Sequence, residues 1–295
     1  MHNLTTSQYE RVRNLVRRSP AFIGMRVVVR DDEVEVVEPE ELVLGLGPVV
    51  EAVAGAPPDE WPTLVDECLE RVLRAITGGS PELNGPTEQV LDRIYARLRP
   101  IDGSPTDWWS YAREVAPGLL MVLAMDHPDH IAILNNEQVS RHGFDRLMAA
   151  GLDNLCGQLP EKYATDDQVF ILSGEDYVAS TVLVIEWVVA AVTGDPDVPH
   201  GVLVAMPDHT TLIFHVLRDG AGARYAVGEI ARLAAEQHDD ARQPLSRNVH
   251  WWRPGSGYLD PIAHAADDTS VIGADLVTQY PPEFADLLTE LDATP

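Results

Sequence analysis

The run Asp126-His127-Pro128-Asp129-His130 places two carboxylates and two imidazoles in one turn-forming stretch. Imidazole nitrogen and carboxylate oxygen are ligands for a divalent metal, and a turn can converge them on a point. A second pair of the same kind, Asp208-His209, occupies another turn about 80 residues later. If the two tips faced one site, His127, His130 and His209 would serve as ligands or bases. The same residues are also ordinary turn formers, because proline pre-sets φ and aspartate bonds its own backbone. The turn reading leads, so no catalytic or metal residue is assigned and no cofactor is expected.

Three further groups of residues invite two readings each. Glu175-Asp176 stands at the head of an apolar stretch. There a carboxylate can bond free backbone N–H groups and complement the helix dipole by about 0.3–1 kcal/mol; the other reading is a site for a cation or a basic group. Glu186 lies inside the apolar run from Val182 to Val192. It must be paired, protonated or on an exposed stripe, since burying it alone is costly. The stripe is the expectation, with Trp187 in the core. His250-Trp251-Trp252-Arg253 puts its indoles on opposite faces of a strand. An outward Trp252 beside Arg253 would anchor a partner protein, against core packing for both rings. Trp108-Trp109-Ser110-Tyr111 poses the same choice.

Several signatures are absent from the sequence. It contains no GxxxxGK[ST] loop, no GxGxxG after a strand, no HExxH and no nucleophile elbow. Gly255-Ser256-Gly257 follows a strand but lacks the helix an elbow needs. The two cysteines, Cys68 and Cys156, form no CxxC and read as buried apolar residues in a reducing compartment.

The elements that must carry these residues follow from periodicity and breakers. Thr6 to Arg18 is an amphipathic helix with Tyr9, Val12, Leu15 and Val16 at helical spacing. Met25 to Val29 and Val34 to Val37 flank a polar turn and make a hairpin. Short helices are expected at Leu46 to Ala54 and Thr87 to Leu98, and a strong one at Glu60 to Ile76. Beyond Pro117 come strands at Leu119 to Ala124 and His130 to Leu134, a helix at Phe144 to Leu159 and a strand at Gln168 to Leu172. The order recurs about 80 residues on: strands at Val202 to Ala205 and Thr211 to Leu217, a helix at Tyr225 to Gln237, and a strand at Asn248 to Trp252. Tandem hairpin–helix–strand units, joined by an apolar helix from Tyr177 to Thr193, are one reading; a coincidence of common elements is the other. Hairpins interleaved with helices imply an α+β fold with mixed or antiparallel sheets under helices. The Ser80 to Pro117 stretch is the place for a module boundary, dividing residues 1–100 from 101–295.

In order and spacing the chain resembles the YtpQ family of uncharacterised bacterial proteins. The carrying segments are the hairpin around Arg30-Asp31-Asp32, then Leu44-Gly45-Leu46-Gly47-Pro48-Val49-Val50-Glu51, Gly151-Leu152-Asp153-Asn154-Leu155 before Val169-Phe170-Ile171, Asp176-Tyr177-Val178-Ala179-Ser180, and Val204-Ala205-Met206-Pro207. Val178 stands where that family has a second acid. The resemblance implies a fold and brings no activity or functional residue with it.

Composition narrows the partners. The 295 residues carry 47 acids against 21 bases, a formal charge of −26. Such a surface repels phosphate backbones and anionic lipid and attracts basic proteins. The longest apolar run, Val178 to Val192, spans about 15 residues where a bilayer needs about 20, and Glu186 interrupts it. No secretion signal opens the chain. The expectation is a cytoplasmic, non-enzymatic interaction or regulatory protein with a protein partner, basic in character, as an immunity protein would have. Nucleic acid and membrane are not expected. The alternative is a metal- or small-ligand-binding enzyme using the Asp/His tips at 126–130 and 208–209.

Overall fold

The computed structural model describes residues 4–30, 33–38, 42–77, 83, 85–101, 109–127, 131–160, 163–166, 168–241, 243–265 and 276–293. The fold is α+β, with antiparallel sheets and helices packed on them. The chain divides into two compact units, residues 1–84 with 128–132, and residues 85–127 with 133–295.

The first unit begins with α1 (Thr6–Arg18), closed by a capping box in which Thr5 and Gln8 satisfy each other's backbone N–H groups. Its buried residues are Val12 and Val16, one helical turn apart. An antiparallel sheet follows, β1 (Arg26–Val29), β2 (Glu33–Glu38) and β3 (Leu42–Gly45), in sequence order. Val34 and Val36 alternate inward. Helices α2 (Gly47–Val53) and α3 (Trp61–Thr77) complete the unit. Trp61, Val65, Cys68 and Leu69 share one face of α3 and meet α1 and the sheet in a single core. The strand β3 had no counterpart in the sequence expectations.

The second unit opens with α4 (Thr87–Leu91) and β4 (Ile94–Pro100), followed by β5 (Arg113–Ala116) and β6 (Leu119–Asp126); the short strand β7 (Ile131–Ile133) falls at the boundary between the two units along the chain. The expected helix from Thr87 to Leu98 therefore ends at Leu91. From Ile94 onward the chain alternates apolar and polar residues, and each pairs antiparallel with β6, from Ile94 opposite Met125 to Pro100 opposite Leu119. After β7, the Leu134 N–H donates to the Leu123 carbonyl at 2.9 Å. Helices α5 (Asn136–His142) and α6 (Phe144–Leu155) come next, and α6 packs on β4. The approach is close because of Gly151: a Cβ there would come 2.8 Å from the Ala96 backbone nitrogen.

The remainder of the unit is built on a seven-stranded antiparallel sheet. Its strands in chain order are β8 (Tyr163–Asp166), β9 (Val169–Ser173), β10 (Val202–Ala205), β11 (Thr211–Val216), β12 (Val249–Trp252), β13 (Leu259–Ala265) and β14 (Leu276–Thr278). In space they run β14-β13-β12-β10-β11-β9-β8. One face carries α8 (Gly220–Asp240) and α9 (Pro282–Ala293). The buried stripe of α8 is Ala223, Ala226, Val227, Ile230, Ala231 and Ala234, mostly small side chains that let the helix lie close to Leu203, Ile213 and Trp251. Trp251 meets Phe284 of α9 with ring centroids 5.1 Å apart.

The two hairpin–helix–strand runs end differently. The strand after α8, β12, returns beside β10, the first strand of its own hairpin. The strand after α6, β9, pairs with β8 and β11 in the larger sheet. Similar order therefore leads to different pairing.

The apolar stretch between β9 and β10 is not one helix. Ala179–Val184 is a 3-10 segment, Val184 leaves helical geometry with φ −125° and ψ 37°, and α7 (Ile185–Thr193) starts afresh. The Thr181 hydroxyl donates to the Val178 carbonyl at 2.6 Å, a local bond that competes with the α-helical ladder. On α7 Glu186 is exposed, as the stripe reading expects. Trp187, expected in the core, is 40% exposed beside it. Among the described residues no helix is long and apolar enough to cross a membrane.

Candidate functional site

The residues with the most unusual surroundings lie on one face of β4. Strand alternation aligns Tyr95, Arg97 and Arg99, with Arg93 in the turn just before them, while Ile94, Ala96 and Leu98 point into the core. Arg97 is buried, 7% exposed. Its guanidinium donates to the Asp176 carbonyl at 2.8 Å and lies 5.1 Å from the centre of the Tyr177 ring. Tyr177 in turn stacks on Tyr95, centroids 4.3 Å apart, and its hydroxyl reaches the Asp126 carboxylate at 3.4 Å. Gln158 holds the Tyr95 hydroxyl at 3.2 Å. Burial raises the pKa of both phenols, and the Asp126 charge raises it further.

Backbone bonds bring the 3-10 segment and the β10–β11 turn to the same place. The Leu98 N–H donates to the Ser180 hydroxyl at 3.0 Å. The Ala179 N–H donates to the His209 carbonyl at 3.1 Å, and the Gly174 N–H to the Thr210 carbonyl at 3.0 Å. His209 is 8% exposed, and its Nδ1 has no hydrogen-bond partner among the described residues. Burial, then the charges of Arg97 and Arg99, push its pKa down to about 3, so the ring is neutral. Arg99 itself stacks over Trp109 at 4.5 Å.

Several of the residues singled out by sequence thus gather here, in roles other than those expected. Asp126 is the acceptor of Tyr177, and His127 Nδ1 lies 2.9 Å from an Arg93 nitrogen. Arg93 Nε also donates to the Asp126 carbonyl at 2.8 Å. Asp129 and His130 lie outside the described residues. Asp208 and His209, adjacent in sequence, diverge. The Asp208 carboxylate accepts from the Thr210 N–H and hydroxyl, each at 2.7 Å, and lines a hollow with α8, while His209 turns inward. The two Asp/His tips therefore do not present four ligands to one point. Among the described residues no group of three or more His, Cys, Asp or Glu is placed to hold a metal ion.

Glu175 and Asp176 do not cap a helix. The helical turn starts at Ala179, its cap position is Val178, and no side chain bonds there. Both acids are exposed, and Asp176 contributes its carbonyl to Arg97. Trp252 is 8% exposed and Trp251 5%, so the core-packing reading holds for both rings and neither indole of the pair remains free to anchor a partner. Sequence reading missed Arg97, Tyr95 and Tyr177. The signal for the first two was the polar–apolar alternation from Arg93 to Arg99, legible only once that stretch is taken as a strand.

The second feature is an open hollow of about 410 Å³ at the C-terminal half of α8, lined by Asp208, Leu233, Glu236, Gln237, Asp240 and Ala241. Among the described lining residues three are acids and none is basic, and Leu233 supplies an apolar wall. Glu236 pairs with exposed Arg232 at 3.1 Å, whereas Asp240 has no such partner among the described residues. The chain matches no family model, no curated protein and no solved structure.

Proposed function

We propose that this chain is a cytoplasmic, non-enzymatic binding protein whose partner is a protein with a basic docking surface. The observation that supports this reading is the hollow beside α8. A lysine or arginine side chain can lay its aliphatic stem on Leu233 and place its head among Asp208, Glu236 and Asp240. The wider charge of −26 acts at longer range, steering a basic partner toward the surface and rejecting acidic ones. Exposed charge pairs of this kind are screened over about 8 Å at physiological salt, so the complex should dissociate as salt rises.

The test is capture from cell lysate on the immobilised protein at low salt, followed by a salt step. A stoichiometric protein that elutes with salt, and is lost on Glu236→Gln/Asp240→Asn, is the expected result. A protein held equally by the double variant, or a small molecule recovered alone, would remove the reading. The resemblance to the YtpQ family carries no activity and adds nothing to either outcome.

A further inference from the structure

Among the described residues, Arg97 is the only Lys, Arg, Asp or Glu that is buried. A buried charge normally has a charged partner, because desolvation costs several kcal/mol per ion. Among the described residues Arg97 has none within ion-pair distance: its surroundings are the Asp176 carbonyl and the ring and hydroxyl of Tyr177. A guanidinium offers five N–H donors in a planar fork, and these neighbours engage only part of it. The closest carboxylates to act on it, those of Asp176 and Asp126, do so from a distance, and Asp126 is turned to the Tyr177 hydroxyl.

Beside it, His209 leaves Nδ1 unpartnered in a buried setting. His209 and Arg97 are tied to the same short segment, His209 through the Ala179 N–H and Arg97 through the Asp176 carbonyl. An unpartnered ring nitrogen thus lies within the field of a cation whose donors are only partly engaged. A fork of this kind matches the paired oxygens of a phosphate or carboxylate.

We propose that Arg97 and His209 form a binding point for a small oxyanion, the phosphate or carboxylate group of a ligand. Arg97 supplies the charge and the paired donors. His209 adds a neutral ring donor through Nδ1. Tyr177, stacked on Tyr95 and 5.1 Å from the guanidinium, holds the fork in place. The site is separate from the acidic hollow on α8, so its fate does not depend on the protein-binding reading.

The experiment is titration of the whole protein with inorganic phosphate and, separately, with acetate and succinate. Binding is read by calorimetry and by the unfolding temperature, against sodium chloride at matched ionic strength. The chloride control matters because a chain of charge −26 gains stability from any salt. Saturable stabilisation beyond chloride is expected, lost in Arg97→Met. Asp126→Asn, which removes a repelling carboxylate, should tighten binding about fivefold. A response to phosphate alone points to a phosphate ester as ligand; an equal response to succinate points to a carboxylate. If Arg97→Met does not fold, Arg97→Lys retains the charge but loses the fork, and should bind at least about tenfold more weakly. No saturable response to any of the three anions, or an unchanged response in Arg97→Lys, overturns the proposal.

Discussion

Gly201 sits where two constraints meet. Its φ is +85°, and a Cβ there would lie 2.1 Å from the Trp252 carbonyl oxygen and 2.9 Å from the Trp251 indole nitrogen. That indole donates to the His200 carbonyl at 3.0 Å, so the neighbour cannot move without losing a bond. Left-handed geometry alone costs a non-glycine residue about 1–2 kcal/mol. The backbone collision adds to this, and Gly201→Ala should lose more than about 3 kcal/mol in denaturant unfolding. Gly255, at φ +75° with open space around it, is the control, and Gly255→Ala should lose only about 1–2 kcal/mol. Equal losses at the two positions would refute the collision. Asn154 makes a comparable long-range contact. Its side-chain amide donates to the Leu91 and Ile94 carbonyls at 2.8 and 2.7 Å, tying the end of α6 to the link between α4 and β4. Asn154→Ala strands both carbonyls and should cost about 2 kcal/mol, whereas Asn154→Asp, which keeps the size but not the donors, should cost at least as much. Asn154 was legible as part of a helix end. Its partners, distant in sequence, were not; the strand that Gly201 lies against was expected at Asn248 to Trp252, but its approach to Gly201 was not legible.

At the scale of elements, what could be read was what is local. The helix from Thr6 to Arg18 and the hairpin of β1 and β2 follow from spacing and a polar turn, and both stand within a residue or two of expectation. The stretch from Ile94 to Pro100 was not readable in that way, because its pattern fits a helix continuing from Thr87 until β6 is present to pair with it. The division of the apolar stretch after Val178 is also set from outside, with Ser180 accepting from the β4 backbone. Misreading β4 hid the candidate site, since Arg97 and Tyr95 share a face only in a strand. Gly151 tests how tightly α6 fixes that strand. Alanine there would gain about 1 kcal/mol of helix propensity, but its Cβ would meet backbone at 2.8 Å and side chain at 3.4 Å. Overpacking against backbone costs about 1–3 kcal/mol, so Gly151→Ala should be destabilising on balance. Hydrogen exchange at the Leu98 amide, which bonds Ser180, should accelerate at least about tenfold as β4 loosens. Unchanged exchange together with a higher unfolding temperature would show that α6 can back away freely.

For the whole molecule, acid is the condition that sets its charges against its core. His209, His215 and His250 are all buried, and burial lowers the pKa of each, to about 3 for His209 and about 4 for His250. The unfolded values are near 6.5. Above that pH the rings are neutral in both states and leave stability unchanged. Below it the unfolded chain takes up protons that the folded chain refuses, so stability falls from pH 6.5 downward, until about 4 for His250 and about 3 for His209. Each such ring contributes about 1.4 kcal/mol per pH unit, on the order of 2 kcal/mol between pH 6.5 and 5. The carboxylates act in the opposite direction, because protonating them relieves self-repulsion in a chain with 47 acids against 21 bases. That relief begins mainly below the ordinary carboxylate range near pH 4, so the histidines should dominate between pH 6.5 and 5. Urea unfolding across that window should show a falling midpoint in the parent chain. His250→Leu, which replaces a fully buried ring by an apolar side chain, should be flatter by about 2 kcal/mol over the same window. A slope equal to that of the parent would mean that His250 gains its proton inside the folded protein, and that the interior around β10 and β12 admits charge.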